Sequence, residues 1–295
     1  MISTIRIAIL LNLNAGQGNS LQLLASIRED LQGRQVSFDV WQQDWTLEPA
    51  SYSHIYLIGG DGTLNYFINK FPECKTPISL FNAGTGNDFF WKLYGEIALK
   101  RQLEIAFCGD IKAIDAGKCN GRLFINGAGI GFDGAVVKEM KKEIPFVKGL
   151  FGYYFAVIKS IFKYRSIMIN FDPQTKLPNT TSDDAIQSAG GCVFMVAVAN
   201  GARYGGDFLI APQACLSDGY LDLVSIGHVN IMQRLFYLPR MKKGRHLSLP
   251  FVYTSTVKSL TIKTKDPVPA HLDGELMIAK SFEITTLPEH FNFRC

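Results

Sequence analysis

Residues 54–67, HIYLIGGDGTLNYF, constrain this chain more than any other stretch. An apolar run ends in two glycines, continues through Asp, Gly and Thr, and then places Leu64, Phe67, Ile68 and Phe71 at helical spacing. That order predicts a buried strand, a tight turn and a helix packing one face on the sheet. Glycine lets the backbone approach an anion closely, and the first turn of a helix offers free N–H groups and the positive end of its dipole. The turn Gly59-Gly60-Asp61-Gly62-Thr63 is therefore expected to hold the phosphates of a nucleotide. Thr63 is expected to cap the helix, and Asp61 to be the carboxylate that holds Mg²⁺ directly or through water. Read as structure alone, the same residues are a capped, glycine-rich strand-to-helix turn. A second turn of similar build, Ala83-Gly84-Thr85-Gly86-Asn87-Asp88, follows the strand ISLFN and leads into another helix. Two such turns at strand ends of one sheet are expected to converge on one ligand.

At 295 residues the chain has room for two domains, each large enough to bury a core. Its first part alternates apolar strands (IRIAILLN, VSFDVW, HIYLIGG, ISLFN) with amphipathic helices, which predicts an α/β domain with a largely parallel sheet over residues 1–113. From about residue 112 strand follows strand, and helices are expected only over 135–142, continuing through 155–164, and over 231–242. An antiparallel β-sandwich over residues 114–295 is the economical assignment, with residues 172–190 as a polar loop inside it.

A hydrophobic fraction of 47% and a charged fraction of 19% are those of a globular protein. No apolar stretch reaches the roughly 18 residues that a membrane span needs, and the apolar N-terminal strand carries no secretory cleavage pattern, so a cytoplasmic location is expected. Six cysteines without CxxC spacing indicate buried, reduced thiols and no zinc site. A net charge of +4 makes no case for a nucleic-acid partner, but its distribution is uneven. No acidic residue occurs between Ile144 and Phe171, where Lys148, Lys159, Lys163 and Arg165 alternate with Phe146, Phe151, Tyr153, Tyr154, Phe155 and Phe162. This stretch reads either as a helix covering the β-domain or as an interfacial helix facing anionic lipid.

Taken in order, IGGDGTLN, GTGND, APQACLSDGYLD and LDGE resemble the diacylglycerol kinase catalytic-domain family of soluble lipid kinases. GGDGT alone also fits NAD kinases and, loosely, phosphofructokinases; the Asn87-Asp88 ending and the late DGE favour the lipid group. The resemblance implies an ATP-dependent kinase that transfers the γ-phosphate, with Mg²⁺, to a lipid hydroxyl, most simply that of a diacylglycerol-like acceptor. ATP would lie in a cleft between the two domains. By match to the motifs, Asn12, Gly59, Gly60, Asp61, Gly62, Thr63, Asn65, Thr85, Asn87 and Asp88 would bind the nucleotide. Asp61 and Asp115 would support the catalytic metal network, and Asp218 with Cys215 and Tyr220 would hold a structural Mg²⁺. Glu275 would be the general base. Asp273 would share its face if the strand is regular. The chain departs from the family pattern at Leu13, where proline is usual, at Tyr66, where Glu is usual, at Asn82, and at Phe90-Trp91, where Ala-Arg is frequent. The resemblance also implies a lipid partner at a membrane surface and peripheral association with it; an exposed strand edge would allow a homodimer.

Other patterns lack their context. Gly129, Gly131 and Gly134 fit GxGxxG, but no acidic residue between Glu143 and Asp172 could hold a ribose, so these glycines are expected to be turns of the second domain near the cleft. Gly117-Lys118 precedes Cys119 instead of Ser or Thr, which excludes a Walker A motif. His271, beside LDGE, is expected to be structural. The alternatives to a lipid kinase are a kinase of a soluble hydroxyl compound, as in NAD kinase, and a weakly active lipid- or nucleotide-binding relative.

Overall fold

The computed structural model describes residues 5–13, 19–42, 44–84, 86–143, 150–172 and 190–295. Thr85, Phe146, Lys148 and most of the polar loop at 172–190 fall outside the described residues, as does the side chain of Phe151. The chain divides into two compact units, one of Met1–Ile114 with Glu289–Cys295 and one of Asp115–Pro288.

In the first unit, strands β1 (Arg6–Leu11), β2 (Ser37–Trp41), β3 (His54–Gly59) and β4 (Ile78–Asn82) alternate with helices α1 (Asn19–Gly33) and α2 (Asp61–Lys70). Helices α3 (Asp88–Tyr94) and α4 (Leu99–Cys108) follow. The strands pair in parallel in the order β2-β1-β3-β4. Ile7, Ile9 and Leu11 on β1 pack with Leu24, Ile27 and Leu31, which recur along one face of α1, and with Tyr56, Ile58 and Phe81. Every residue of β1 after Arg6 is buried, as expected for a central parallel strand covered on both faces.

Residues 289–295 belong with this unit, whereas the sequence pattern assigns everything after residue 113 to the second domain. Phe293 pairs in parallel with Ile78, Phe291 and Phe293 are fully buried, and Arg294 donates to the Phe107 carbonyl at 2.8 Å. The apolar alternation at the C-terminus thus completes the edge of the parallel sheet.

His54 opens β3 in the same core, with Nε2 2.9 Å from the Ser79 hydroxyl. Burial, with a smaller contribution from the Arg294 charge, pushes its pKa down to about 3. The unfolded chain protonates this imidazole from about pH 6.5 downward while the folded chain keeps it neutral. Stability from this residue is therefore complete above that pH and is lost as pH falls toward 3. Between about pH 7 and pH 5 the cost is ~2 kcal/mol. Thermal melts of His54→Gln, which keeps a polar partner for Ser79, should show an acid slope shallower than wild type by that amount; equal slopes would remove His54 from the pH response.

The second unit is antiparallel, and the fold is an α/β domain followed by a β-sandwich. Strand β5 (Ile111–Cys119) enters it and pairs with β6 (Arg122–Phe124). Strands β11 (Val252–Val257), β10 (Leu221–Gly227), β9 (Gly191–Ala199), β7 (Gly127–Gly131), β12 (Ser259–Leu272) and β13 (Glu275–Arg294) pair in that order. Strand β8 (Ile167–Phe171) also pairs with both β9 and β12, at residues that β7 leaves free. β7 and β8 therefore occupy one slot end to end. Between them the chain leaves the sheet as α5 (Phe132–Glu143) and α6 (Leu150–Lys163), while α7 (Ile231–Lys242) follows β10. One face of β9 and β10 packs on Ile130, Ile262, Phe282 and Ile284 inside the sandwich. The other face packs on Val157 and Ile161 of α6 and on Leu238 and Met241 of α7.

Two expectations are corrected here. Gly134 lies inside helix α5 and Gly129 inside strand β7, all of it buried, so neither is a turn residue. A Cβ on Gly129 would stand 2.5 Å from Nε2 of His271 and 2.8 Å from Cβ of Asp133, so glycine is required by close packing. Only Gly131, at φ +94°, needs glycine for its backbone conformation as the strand turns into α5. The cysteines are free, but Cys108, Cys192 and Cys215 are exposed; only Cys74 and Cys119 are fully buried.

Candidate functional site

In the first unit the two glycine turns meet. β3 and β4 are neighbours with Gly59 opposite Asn82, so both turns leave the same end of the sheet, and Ala83 N–H donates to the Gly59 carbonyl at 3.0 Å. A Cβ on Gly60 would stand 2.8 Å from the Cα of Gly84, and one on Gly84 2.5 Å from the Cα of Gly60. Gly60 has φ −113°, an ordinary value, so its glycine is fixed by the approach of the second turn. The Asn87 side chain closes the second turn on itself. Its Nδ2 donates to the Gly84 carbonyl at 2.7 Å, and its Oδ1 accepts from Gly84 N–H at 3.1 Å.

With Asn87 so engaged, α3 takes its cap from the other turn. Asp61 Oδ2 accepts from the Asp88 N–H at 3.0 Å and Oδ1 from the Phe89 N–H at 3.2 Å. The carboxylate therefore joins the two motifs by charge-assisted bonds at a helix N-terminus. A carboxylate is also the kind of hard oxygen ligand that a divalent cation takes.

Thr63 does not cap. The N-cap of α2 is Gly60 and no side chain caps it; Thr63 is inside the first turn of the helix, where its Oγ1 accepts from Asn12 Nδ2 at 2.9 Å. Asn12, whose N–H donates to Ile58 O, thereby ties the end of β1 to α2. Asn65 is buried, with Asn69 Nδ2 donating to its carbonyl at 2.9 Å. Gly62 is open to space, and Asp88 is buried. Gly59, Gly60, Asp61, Asn87 and Phe90 line one small cleft. Tyr66 is exposed, packs edge-on against Trp45 and lies under the Lys70 ammonium.

The second unit holds the remaining predicted residues. Asp115 is fully buried, and its Oδ2 accepts from Gly219 N–H at 2.7 Å while its own N–H donates to Leu216 O. It thereby pins the turn that carries Cys215, Asp218 and Tyr220. Asp218 is exposed, and its Oδ1 accepts from Tyr220 N–H at 3.0 Å. One carboxylate beside backbone carbonyls is the kind of donor set Mg²⁺ accepts, with water completing its shell. Among the described residues, no group of three or more His, Cys, Asp or Glu is gathered to hold a metal. A cation at either place would therefore rest on no more than two such side chains, with carbonyls, phosphate oxygens or water completing its shell.

The DGE segment is a two-residue hairpin turn. Leu272 pairs with Glu275, and Asp273 and Gly274 have φ +49° and +85°, the twist that joins β12 to β13. Asp273 is therefore not on a regular strand beside Glu275. Its carboxylate accepts from the N–H groups of Ile125, Asn126 and Gly127 at 2.8, 3.0 and 2.9 Å. Glu275, half-exposed, pairs with Lys141 of α5 at 2.8 Å.

Behind this turn lies a buried cluster that the sequence does not advertise. His271 Nδ1 accepts from Gly274 N–H at 3.3 Å, and burial pushes its pKa down to about 4. Its ring meets that of Tyr204 edge-on at 5.2 Å, and Tyr204 donates to Asp133 Oδ2 at 2.6 Å. Burial raises the Asp133 pKa to about 6, against the opposing Tyr204 bond. The only local signal for Asp133 is its place in the glycine cluster of residues 129–134.

Comparison with known proteins follows the same division. Residues 6–119 match the diacylglycerol kinase catalytic domain, and residues 127–294 match the YegS C-terminal NAD kinase beta sandwich-like domain. A diacylglycerol kinase of Staphylococcus saprophyticus is 25% identical over 76% of this chain and 71% of its own length. One of Staphylococcus carnosus is 27% identical over 76% of this chain and 70% of its own. A crystal structure of a diacylglycerol kinase from Bacillus anthracis shares the fold, with a TM-score of 0.69 at 19% identity over 99% of this chain and 96% of that one. By both of its domains, the chain belongs to the diacylglycerol kinase catalytic-domain family of lipid kinases.

Proposed function

We propose that the protein transfers the γ-phosphate of ATP to the hydroxyl of a diacylglycerol-like lipid, at a membrane surface with which it associates peripherally. The observation that carries this reading is the junction of the two glycine turns. Gly60 and Gly84 pack backbone to backbone, and Asp61 bridges to the start of α3, leaving a carboxylate among main-chain groups at the ends of two parallel strands. This arrangement suits a polyphosphate with its cation. Bound Mg²⁺ would neutralise charge developing on the phosphate oxygens, and Asp61 is the residue to hold it, with Asp218 serving a structural ion in the second unit. Asn12 and Thr63 fix the first turn, and Asn87 fixes the second. Glu275 takes the proton of the acceptor hydroxyl as its oxygen engages phosphorus. Lys141, paired with it at 2.8 Å, holds the carboxylate in place.

Labelled ATP supplied with extracted lipids tests the reading. A labelled lipid supports it, whereas a labelled soluble product indicates a kinase closer to NAD kinase. Replacing Glu275 by Gln should cut transfer by about a hundredfold or more while leaving ATP affinity and melting temperature unchanged. Full activity in Glu275→Gln would remove it from the chemistry.

A further inference from the structure

Helices α6 and α7 lie side by side and antiparallel over one face of β9 and β10. Near the start of α7, Arg234 donates to Ile161 O and Tyr164 O at the end of α6, at 2.8 Å each. Near its end, Lys242 donates to Tyr154 OH on α6 at 2.7 Å. The inward faces of both helices fill the same core, so both outward faces look away from the same side of the sheet. Those outward faces are apolar. Phe155, Ile158 and Phe162 (56% exposed) recur along α6, and Met232 (75%), Leu235 and Phe236 (64%) along α7. Solvated helices rarely carry so many large apolar side chains on one surface.

The charges around these residues identify what covers them. No acidic residue occurs from Leu150 to Phe171 or from Leu223 to Lys265. Lys163, Arg165, Arg240, Lys242 and Lys243 are exposed on or beside the two helices, and Arg240 stacks over Phe236 at 5.3 Å. Lys159 does not contribute, because it is mostly buried against Glu139. A second copy of this chain would set cation against cation. Among the described residues the rim is mainly cationic, with Asp207 near Lys242 and Glu139 paired to Lys159, and an apolar surface so rimmed is complementary to an anionic bilayer, with aromatic and methionine side chains among the acyl chains and Lys and Arg at the headgroups.

We infer that α6 and α7 together form the face by which the protein docks on anionic membranes, with Met232 and Phe236 of α7 inserting beside Phe162 of α6. This rests on the lipid-kinase reading above for its purpose, though not for its observations. The test is sedimentation of the full chain with vesicles of phosphatidylcholine plus phosphatidylglycerol, against phosphatidylcholine alone. Wild type should bind the anionic vesicles preferentially, and Met232→Glu and Phe236→Glu should each weaken binding by about tenfold or more. Both positions are exposed, so melting temperatures should not change; Arg240→Glu, which reverses an exposed charge and removes its stacking over Phe236, supplies a second variant that should also weaken binding. Variants that bind as wild type does would overturn the inference, as would light scattering showing that these substitutions only dissociate a dimer. If no lipid is phosphorylated by any form while vesicle binding still depends on Met232 and Phe236, the docking face stands and the kinase reading fails. If phosphorylation of vesicle-borne diacylglycerol falls in the variants while that of dispersed short-chain diacylglycerol is retained, both stand.

Discussion

Asp273→Ala should destabilise the second unit by about 4 kcal/mol, the largest loss expected from any single side chain of the candidate site. The carboxylate receives three main-chain N–H groups, from Ile125, Asn126 and Gly127, at 2.8–3.0 Å. Hydrogen bonds to a charged partner contribute about 1.5–3 kcal/mol each, but three on one carboxylate are not additive, and water recovers part of the loss. The N–H groups sit at and just before the start of β7, and Ile125, Asn126 and Gly127 are all buried, so their desolvation is costly once the acceptor is gone. Alanine would also sit poorly at φ +49°, where Asp or Asn is tolerated. Asp273→Asn should therefore recover roughly half of the loss, since it keeps the turn and one accepting oxygen. Chemical denaturation of the full chain measures both variants. A loss below about 1 kcal/mol in the alanine variant would show that the three bonds are matched by solvent in the unfolded chain.

This clasp illustrates what was legible in the sequence and what was not. The Asp-Gly pair between two apolar strands is a local signal of a two-residue hairpin, and the residues for it are all adjacent. That the Asp side chain reaches back to residues 125–127 depends on β7 lying beside β12, which no local pattern records. The same division holds elsewhere. The parallel sheet and its helices were visible because hydrophobic periodicity is local, and α7 begins and ends at the predicted residues. The return of residues 289–295 to the first unit was invisible, because β13 runs unbroken through it from Glu275 to Arg294. Thr63 was expected at a cap from its residue type, but the helix begins at Asp61, which leaves Thr63 inside the first turn and available to Asn12. Gly129 was expected in a turn from the glycine spacing, whereas the cause is the bulk of His271 and Asp133 on the adjacent elements.

Asp61→Asn should reduce phosphate transfer by about a thousandfold, equivalent to ~4 kcal/mol of transition-state stabilisation, while costing the fold only about 1 kcal/mol. The two effects have separate origins. The cap on α3 needs acceptors, and asparagine keeps one of the two oxygens that now receive Asp88 N–H and Phe89 N–H. What it lacks is negative charge, which at a helix terminus contributes about 0.3–1 kcal/mol but is indispensable for holding a divalent cation against triphosphate. Asp61→Ala removes both acceptors, so it should lose stability further, by about 1–2 kcal/mol in all, without losing appreciably more activity than the asparagine variant. The pair of variants therefore distinguishes a carboxylate that acts on the cation from one that only builds the site. If Asp61 served solely to cap α3, activity measured well below the melting temperature would follow stability, and Asp61→Asn would remain close to wild type. Turnover and thermal melts on the same preparations, with ATP and diacylglycerol, decide between these outcomes.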